Sequence, residues 1–284
     1  MSHELINRSP DLKKLRDEGY DIEVRVKHGY LLLKNVPYVN SSKQIGRGTL
    51  VSALKLAGDV TDKPDTHVVF FAGDFPCHMN GSEILGLKHN SEQQALAPDL
   101  VVNHSFSNKP PGGYIDYHDK MTRYATILSG PAEALDPKVT ARTFPIVEAQ
   151  EGESVFNYID TASSRAAIAM VSAKLELGKV AIVGLGGTGS YVLDLVAKTP
   201  VKEIHLFDGD TFSQHNAFRS PGAPSAEELR QKPQKVTHFK TVYSRMHRHI
   251  LAHDIFLDES NVEQLRAIER SVSEIVAECH REQR

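Results

Sequence analysis

A glycine-rich segment between an apolar strand and a helix has the clearest chemical meaning in this sequence. Residues 179–190 read KVAIVGLGGTGS, in which Gly184, Gly186 and Gly189 have the spacing G-x-G-x-x-G. Glycines at this spacing allow a tight turn, close approach of the backbone to a phosphate, and close packing of a helix on a strand. Because the first N–H groups of the following helix attract anions, the segment predicts a phosphate site for a nucleotide.

An acidic residue follows at the distance at which a dinucleotide fold binds ribose. Asp208 comes directly after the next predicted strand, Glu203–Phe207, and lies 24 residues beyond Gly184. A carboxylate at this place can accept hydrogen bonds from ribose hydroxyls. The glycine loop and Asp208 by themselves leave NAD and ATP equally open.

The residues after Asp208 separate the two nucleotides. Residues 207–220, FDGDTFSQHNAFRS, resemble the D-x-D-x-V-x-x-S-N-L-x-R-Q signature of the ThiF/MoeB/HesA group, the superfamily of ubiquitin-activating enzymes. The matching positions are Asp208, Asp210, Asn216 and Arg219. Lys235 in KPQKV is similar to the lysine of that family's G-x-P-K-V/A stretch, and Gly187 and Ser190 give the G-x-G-G-x-G-S loop typical of the family.

The resemblance implies an enzyme that uses ATP to adenylate the C-terminal carboxylate of a ubiquitin-like or sulfur-carrier protein. Catalysis of this reaction is mainly positioning and electrostatic stabilisation. Arg219 would bind phosphate oxygens and Lys235 would supply a mobile positive charge, so both are expected to be catalytic. The nucleotide-binding residues are expected to be Gly184, Gly186, Gly187, Gly189, Asp208 and Asn216. Asp208 would hold the ribose, and Asn216 would hold phosphates or orient the loop.

The family also uses Mg²⁺, but its metal-binding aspartate has no counterpart in this sequence, and we predict no metal ligand. That aspartate follows a further apolar strand, whereas the predicted strand His253–Leu257 is followed by Asp258 and a helix, Asn261–Glu278. The chain ends 100 residues after Gly184. We therefore expect the nucleotide-binding domain to be incomplete at its carboxyl end.

Two cysteines and one arginine are further candidates for the family chemistry. Members of the family often transfer the activated carboxylate to a cysteine, and the two cysteines here are Cys77 and Cys279. The alternative is a structural role for Cys77 and an incidental exposed thiol for Cys279, because a reactive thiol needs a lowered pKa. Arg165 precedes Gly184 by 19 residues. It would be the family's arginine that reaches the ATP of a neighbouring subunit, which implies a homodimer.

The pattern of the chain changes near residue 150, and this change indicates two domains. The first half has short β-like runs, among them a predicted hairpin of Asp21–Lys27 and Tyr30–Val36, and one clear helix, Asp116–Leu128. We expect a β-rich α+β accessory domain of unknown function at residues 1–150, ending in a connector that begins at Pro131. Residues 151–284 would be a ThiF-type nucleotide-binding domain.

Strands and helices alternate in the second half. The predicted helices are Ser154–Leu177, Tyr191–Lys198, Lys235–Ile250 and Asn261–Glu278, and the predicted strands are Lys179–Val183, Glu203–Phe207 and His253–Leu257. This order favours the α/β class with a Rossmann-like, doubly wound parallel sheet.

Composition and charge exclude several functional classes. The 33 Lys and Arg residues against 36 Asp and Glu give a formal net charge of −3, which argues against a broad nucleic-acid surface. Two cysteines cannot form a disulfide scaffold and favour a reducing compartment. No apolar run approaches the ~20 residues that span a bilayer. We therefore expect a cytoplasmic protein that binds neither nucleic acid nor membrane.

Two other functions remain open at this stage. An NAD-dependent oxidoreductase would use the glycine loop and Asp208, but it would give Arg219 and Lys235 no role. A nucleotide- or partner-binding module without catalysis is favoured by the missing metal-binding aspartate.

Overall fold

The computed structural model describes residues 2–149, 151–152, 154–166 and 168–269, and the chain divides into two compact units, Met1–Ile146 and Val147–Arg284. The first unit is rich in β-structure, and the second contains a parallel sheet with helices. The prediction of a mixed α/β chain is confirmed at this level. None of the described helices is both long and apolar enough to cross a bilayer.

The first unit is built around one antiparallel sheet. Its helices are α1 (Ser2–Arg8), α2 (Pro10–Asp17) and α3 (Tyr117–Leu135), and 3-10 turns lie at Val26–His28 and Leu85–Leu87. Its strands are β1 (Asp21–Arg25), β2 (Tyr30–Val39), β3 (Ile45–Ala53), β4 (Leu56–Ala57), β5 (Val60–Thr61), β6 (Val68–Ala72), β7 (Lys88–Asn90), β8 (Gln94–Ala97), β9 (Leu100–Val102) and β10 (His104–Ser107). The sheet has the order β1-β2-β3-β6-β10-β7, while β4–β5 and β8–β9 form separate ribbons. The predicted hairpin is confirmed as β1 and β2.

The two faces of this sheet bury different clusters because side chains alternate along a strand. Leu31 and Leu33 of β2 lie in the main core, which also contains Met121 and Leu128 of α3. Leu32 belongs to a smaller cluster that includes residues of β8 and β9. Fully burying each such leucine contributes about 1.5–3 kcal/mol. Packing on one face of β2 therefore fixes α3, and packing on the other fixes the β8–β9 ribbon.

A lysine lies within this core. Lys120 of α3 is 0% exposed, and its ammonium donates to Ser52 Oγ at 2.8 Å, to the carbonyl of Thr66 at 2.8 Å and to that of Val68 at 2.9 Å. The three bonds use all three protons of the ammonium and join α3 to β3 and to the start of β6. Burial disfavours the charged form and lowers the pKa of Lys120 to about 8.

The second unit contains a three-stranded parallel sheet. Its strands are β11 (Lys179–Val183), β12 (Glu203–Phe207) and β13 (Ile250–His253), in that spatial order. The helices are α4 (Ala162–Arg165), α5 (Ala169–Ala173), α6 (Gly187–Val196), α7 (Gln214–Ala217), α8 (Ala226–Arg230), α9 (Lys235–Tyr243) and α10 (Glu263–Glu269). One face of the sheet packs against α6 and α9 through an apolar cluster that includes Ile182, Leu206, Leu193 and Phe239.

The predicted helix Ser154–Leu177 is wrong, although the segment is rich in alanine. Among its described residues, this segment contains only the short helices α4 and α5. Asn157 instead donates its backbone N–H to the carbonyl of Met246 at 2.8 Å, and Phe156 forms a β-bridge with His247. Asp160 then accepts from the N–H groups of Ala162 and Ser163 at 2.8 and 3.1 Å, so α4 begins there. Pairing with a distant segment overrides helix propensity here.

Several other boundaries differ from the prediction. Helix α6 is Gly187–Val196, whereas the predicted helix is Tyr191–Lys198. Helix α3 continues through Pro131 to Leu135, because a proline removes only one helical hydrogen bond and this one lies near the end of the helix. Helix α9 ends at Tyr243 and the last strand begins at Ile250, seven residues before the predicted helix limit and three before the predicted strand. Of the predicted helix Asn261–Glu278, the part beyond residue 269 lies outside the described residues.

Replacement of Lys120 by Met should destabilise the first unit by about 1–3 kcal/mol near neutral pH, because Ser52 Oγ and two buried carbonyls lose their donor. The folded-state pKa of about 8 lies below the ordinary value of 10.5, so the unfolded chain binds more protons between these two values. The free energy of unfolding of the wild type should therefore rise with pH across that window.

Urea titrations at several pH values measure both effects. Lys120→Met should lack the rise in unfolding free energy, whereas Lys138→Met, at an exposed lysine, should keep both the stability and the pH dependence of the wild type. If the unfolding free energy of Lys120→Met rose with pH as much as that of the wild type, titration of Lys120 would not be the cause of the rise.

Candidate nucleotide-binding site

The glycine loop connects β11 to α6 and requires glycine at two positions for different reasons. Gly184 has a φ of 81°, in the left-handed region that favours glycine, and its N–H donates to the carbonyl of Phe207 at 2.8 Å. A Cβ atom on Gly189 would lie 1.8 Å from the carbonyl oxygen of Gly184. The turn therefore folds back on the first turn of α6, as the sequence spacing predicts.

Asp208 is the residue that ties this loop to the neighbouring strand. Its side chain is 6% exposed, and its Oδ2 atom accepts from the backbone N–H of Leu185 at 2.7 Å. The Oδ1 atom accepts from the backbone N–H of Asp210 at 2.8 Å. Both oxygens of the predicted ribose-binding residue thus have donors in the chain itself. Its binding to ribose stays a prediction.

Lys235 is held in place and not solvated. It is the first residue of α9 and 7% exposed, and its Nζ atom lies 2.6 Å from Asp210 Oδ2 and 3.4 Å from Asp208 Oδ2. The sequence predicts a mobile positive charge here and places Asp210 in the motif without a role. The spacing D-x-D was the signal for Asp210, since it places a second carboxylate two residues beyond Asp208.

Arg219 differs from Lys235 in that its guanidinium is free. The residue is exposed and forms no ion pair with any residue in the described part of the chain. A Cβ atom built on Gly187, the first residue of α6, would lie 3.7 Å from its Nε atom and 3.8 Å from an Nη atom. The structure thus brings an unpaired guanidinium to the amino end of α6, where the first N–H groups of the helix have no partner within it.

Asn216 supports the segment that presents Arg219. It is 8% exposed, its Oδ1 atom accepts from the backbone N–H of Ser213 at 2.8 Å, and its carbonyl accepts from Ser220 Oγ at 2.9 Å. These bonds brace α7 and the turn after it. The geometry is that of a residue that orients the loop, one of the two roles that the sequence analysis expected.

The remaining candidates are the two cysteines and Arg165. Cys77 is buried and lies 3.4 Å from the carbonyl of Phe75, and burial raises the pKa of its thiol, which disfavours the reactive thiolate. Cys279 lies outside the described residues. Arg165 ends α4, and its role in a dimer stays a prediction. Among the described residues, no three His, Cys, Asp or Glu side chains form a group that could hold a metal ion.

The second half of the chain is an α/β unit with a parallel sheet and a glycine loop that is a candidate nucleotide site. The chain belongs to the family described as "Domain of unknown function (DUF6791)", which matches residues 10–161 and thus more than half of its length. The ThiF family matches residues 162–275, which confirms the resemblance seen in the sequence. Among curated proteins, no match is found.

Several solved structures are similar to part of the chain. MccB of E. coli with MccA-N7isoASN has 21% identity and a TM-score of 0.35, over 42% of this chain and 36% of that one. E. coli tRNA N6-threonylcarbamoyladenosine dehydratase TcdA in complex with AMP has 20% identity and a TM-score of 0.33, over 37% and 43%. The microcin C7 biosynthetic enzyme MccB in complex with N-formylated MccA has 25% identity and a TM-score of 0.33, over 42% and 34%. The chain therefore spans less than half the length of each of these three proteins.

The two glycines at the start of α6 should respond differently to alanine. Gly189→Ala places a methyl group 1.8 Å from the Gly184 carbonyl, so the backbone must shift, and we expect a loss of about 1–3 kcal/mol in stability. In Gly187→Ala the new methyl group has no neighbour closer than 3.5 Å, so stability should be unchanged or slightly higher. Urea unfolding measures both variants. Equal losses in the two would show that close packing is not what requires glycine at 189.

Proposed function

We propose that the chain binds ATP at the glycine loop and adenylates the C-terminal carboxylate of a ubiquitin-like or sulfur-carrier protein. The observation that carries this proposal is the position of Arg219, an exposed guanidinium without an ion pair in the described chain, beside the first residue of α6. A cation and a helix amino end directed at one place form a site for a phosphate group. The ThiF match over residues 162–275 supports the particular chemistry.

The residues around the glycine loop fit a nucleoside triphosphate. The turn at Gly184 and the amino end of α6 offer backbone N–H groups, and Arg219 adds a planar fork that can bind two phosphate oxygens. Asp208 fixes the loop through Leu185, so the N–H groups are held in position before the nucleotide arrives. Lys235, paired with Asp210 next to Asp208, would contribute a second positive charge for the phosphates.

In the proposed reaction an oxygen of the carrier's carboxylate bonds to the α-phosphorus of ATP as the bond to pyrophosphate breaks. Arg219 and Lys235 would stabilise the charge that develops on the phosphate oxygens, and the helix amino end would add its partial charge. Asn216 would keep Arg219 in place by bracing α7. Mg²⁺ would assist this chemistry, and we assign no residue of this chain as its ligand.

The strand order supports the finer fold assignment. A doubly wound sheet of the Rossmann type has the order 3-2-1-4-5-6, and its first three strands carry the first glycine loop. The order of β11, β12 and β13 is that of the first half, with the loop after the first strand and Asp208 after the second. We propose no position for further strands.

An apolar surface next to the nucleotide residues supports a protein as the second substrate. Phe218, which precedes Arg219, is 86% exposed, and it lines an open cavity of about 800 Å³ together with Leu229 and Lys232. Large exposed apolar side chains at a cavity mark a surface that a partner covers. A carrier protein whose tail reaches the phosphate site would cover it.

ATP–pyrophosphate exchange with candidate carrier proteins tests the proposal. The wild type should exchange label only when its carrier is present, and Arg219→Ala should reduce the rate by about 100-fold or more, because a charge-stabilising donor is lost. Arg8→Ala is the matched control, since Arg8 is 53% exposed, pairs with Asp59 in the first unit and does not line the cavity at Phe218. No exchange by a chain that still binds ATP would instead favour a binding module without catalysis.

A thermal-shift titration compares ATP with NADH. A ligand that binds only the folded state stabilises it, so the melting temperature rises with the concentration of the ligand relative to its Kd. ATP should stabilise the protein and NADH should not. Stabilisation by NADH alone would contradict the proposal and favour the oxidoreductase hypothesis.

A further inference from the structure

Four charged groups lie around the glycine loop, and their pairing is uneven. Asp208 and Asp210 carry two negative charges, and Lys235 and Arg219 carry two positive charges. Arg219 has no carboxylate partner in the described chain, whereas the ammonium of Lys235 contacts both carboxylates. The shorter contact is to Asp210 at 2.6 Å, and the one to Asp208 is 3.4 Å.

The short contact is not needed to neutralise a buried charge. The side chain of Asp210 is 56% exposed and could be solvated by water, whereas that of Asp208 is 6% exposed. Asp208 already accepts from two backbone N–H groups. If Lys235 served only to balance the buried carboxylate, its shorter contact would be with Asp208.

The backbone around Asp210 is fixed without its carboxylate. The N–H of Lys235 donates to the carbonyl of Asp210 at 2.9 Å, and the N–H of Asp210 donates to Asp208 Oδ1 at 2.8 Å. Thr211, which follows Asp210, and Gln234, which precedes Lys235, form an antiparallel β-bridge. Loss of the Asp210 carboxylate should therefore leave the fold intact and release only the ammonium.

We propose that Asp210 is a positioning residue that holds the Lys235 ammonium away from the phosphates until a polyphosphate displaces it. The inference rests on the proposed function, because it concerns how the same site handles ATP. The β- and γ-phosphates offer enough negative charge to draw the ammonium from Asp210, and a single α-phosphate does not. When pyrophosphate leaves, the ammonium returns to Asp210, which favours release of this product.

The experiment compares the affinities of the full chain for ATP, AMP and inorganic pyrophosphate by calorimetry. Asp210→Asn keeps the size of the side chain but removes its charge, so ATP and pyrophosphate should bind about 3- to 10-fold more tightly. The affinity for AMP should change by less than about twofold. In ATP–pyrophosphate exchange, KM for ATP and kcat should both fall, since pyrophosphate leaves more slowly.

Two further variants separate this effect from a general change of charge. Glu227→Gln makes the same change in net charge at an exposed ion pair on α8 and should leave all three affinities unchanged. In the double variant Asp210→Asn/Lys235→Gln, the gain in ATP affinity should disappear relative to Lys235→Gln alone. A gain that persists without the lysine, or that extends to AMP, would overturn the positioning role of Asp210.

The outcomes also distinguish this inference from the proposed function. If the wild type binds neither ATP nor pyrophosphate, the proposed function itself fails. If the wild type and Asp210→Asn bind ATP with the same affinity, the chain has an ATP site, but the role proposed for Asp210 is wrong.

Discussion

The hydrogen bonds of the buried carboxylate of Asp208 are the constraint on which the candidate nucleotide site depends. A buried carboxylate needs donors for both oxygens, since leaving it unpaired costs several kcal/mol. Here the donors are the backbone N–H groups of Leu185 and Asp210, with Lys235 nearby. One side chain thus sets the conformation of the glycine loop after β11, the turn after β12 and the start of α9.

The two cations of the candidate site differ in whether a carboxylate pairs with them. Lys235 enters the neighbourhood of Asp208 because its own N–H bonds to the carbonyl of Asp210, which fixes the start of α9 beside the two carboxylates. Arg219 lies beside Gly187, at the end of the segment that Asn216 braces, and it has no ion-pair partner among the described residues. The resting site is close to neutral overall, so attraction for an anion comes from the free guanidinium and the amino end of α6.

Side chains on the face of the parallel sheet opposite α6 and α9 also stabilise the end of β12. His205 Nε2 lies 2.6 Å from Glu203 Oε1, and its Nδ1 lies 2.9 Å from His253 Nε2. The ring of His253 stacks on that of Phe207 with centroids 4.3 Å apart, one residue before Asp208. Burial lowers the pKa of His253 and the charge of His205 lowers it further, so a neutral ring is favoured there. This row of side chains holds β13 against β12 where the site begins.

Local patterns predicted the elements that present the site, and contacts between distant residues decided what local patterns could not. Strands β11 and β12 have the predicted bounds because an apolar run between turn residues is a local signal. The segment after Ser154 is rich in alanine, which favours a helix, but its pairing with the residues around Met246 is invisible in any short window. The ion pair of Lys235 and Asp210 is likewise a contact that no short window of sequence shows, since 25 residues separate its partners. The motif identified residues that belong together, and only the structure distinguishes the paired cation from the free one.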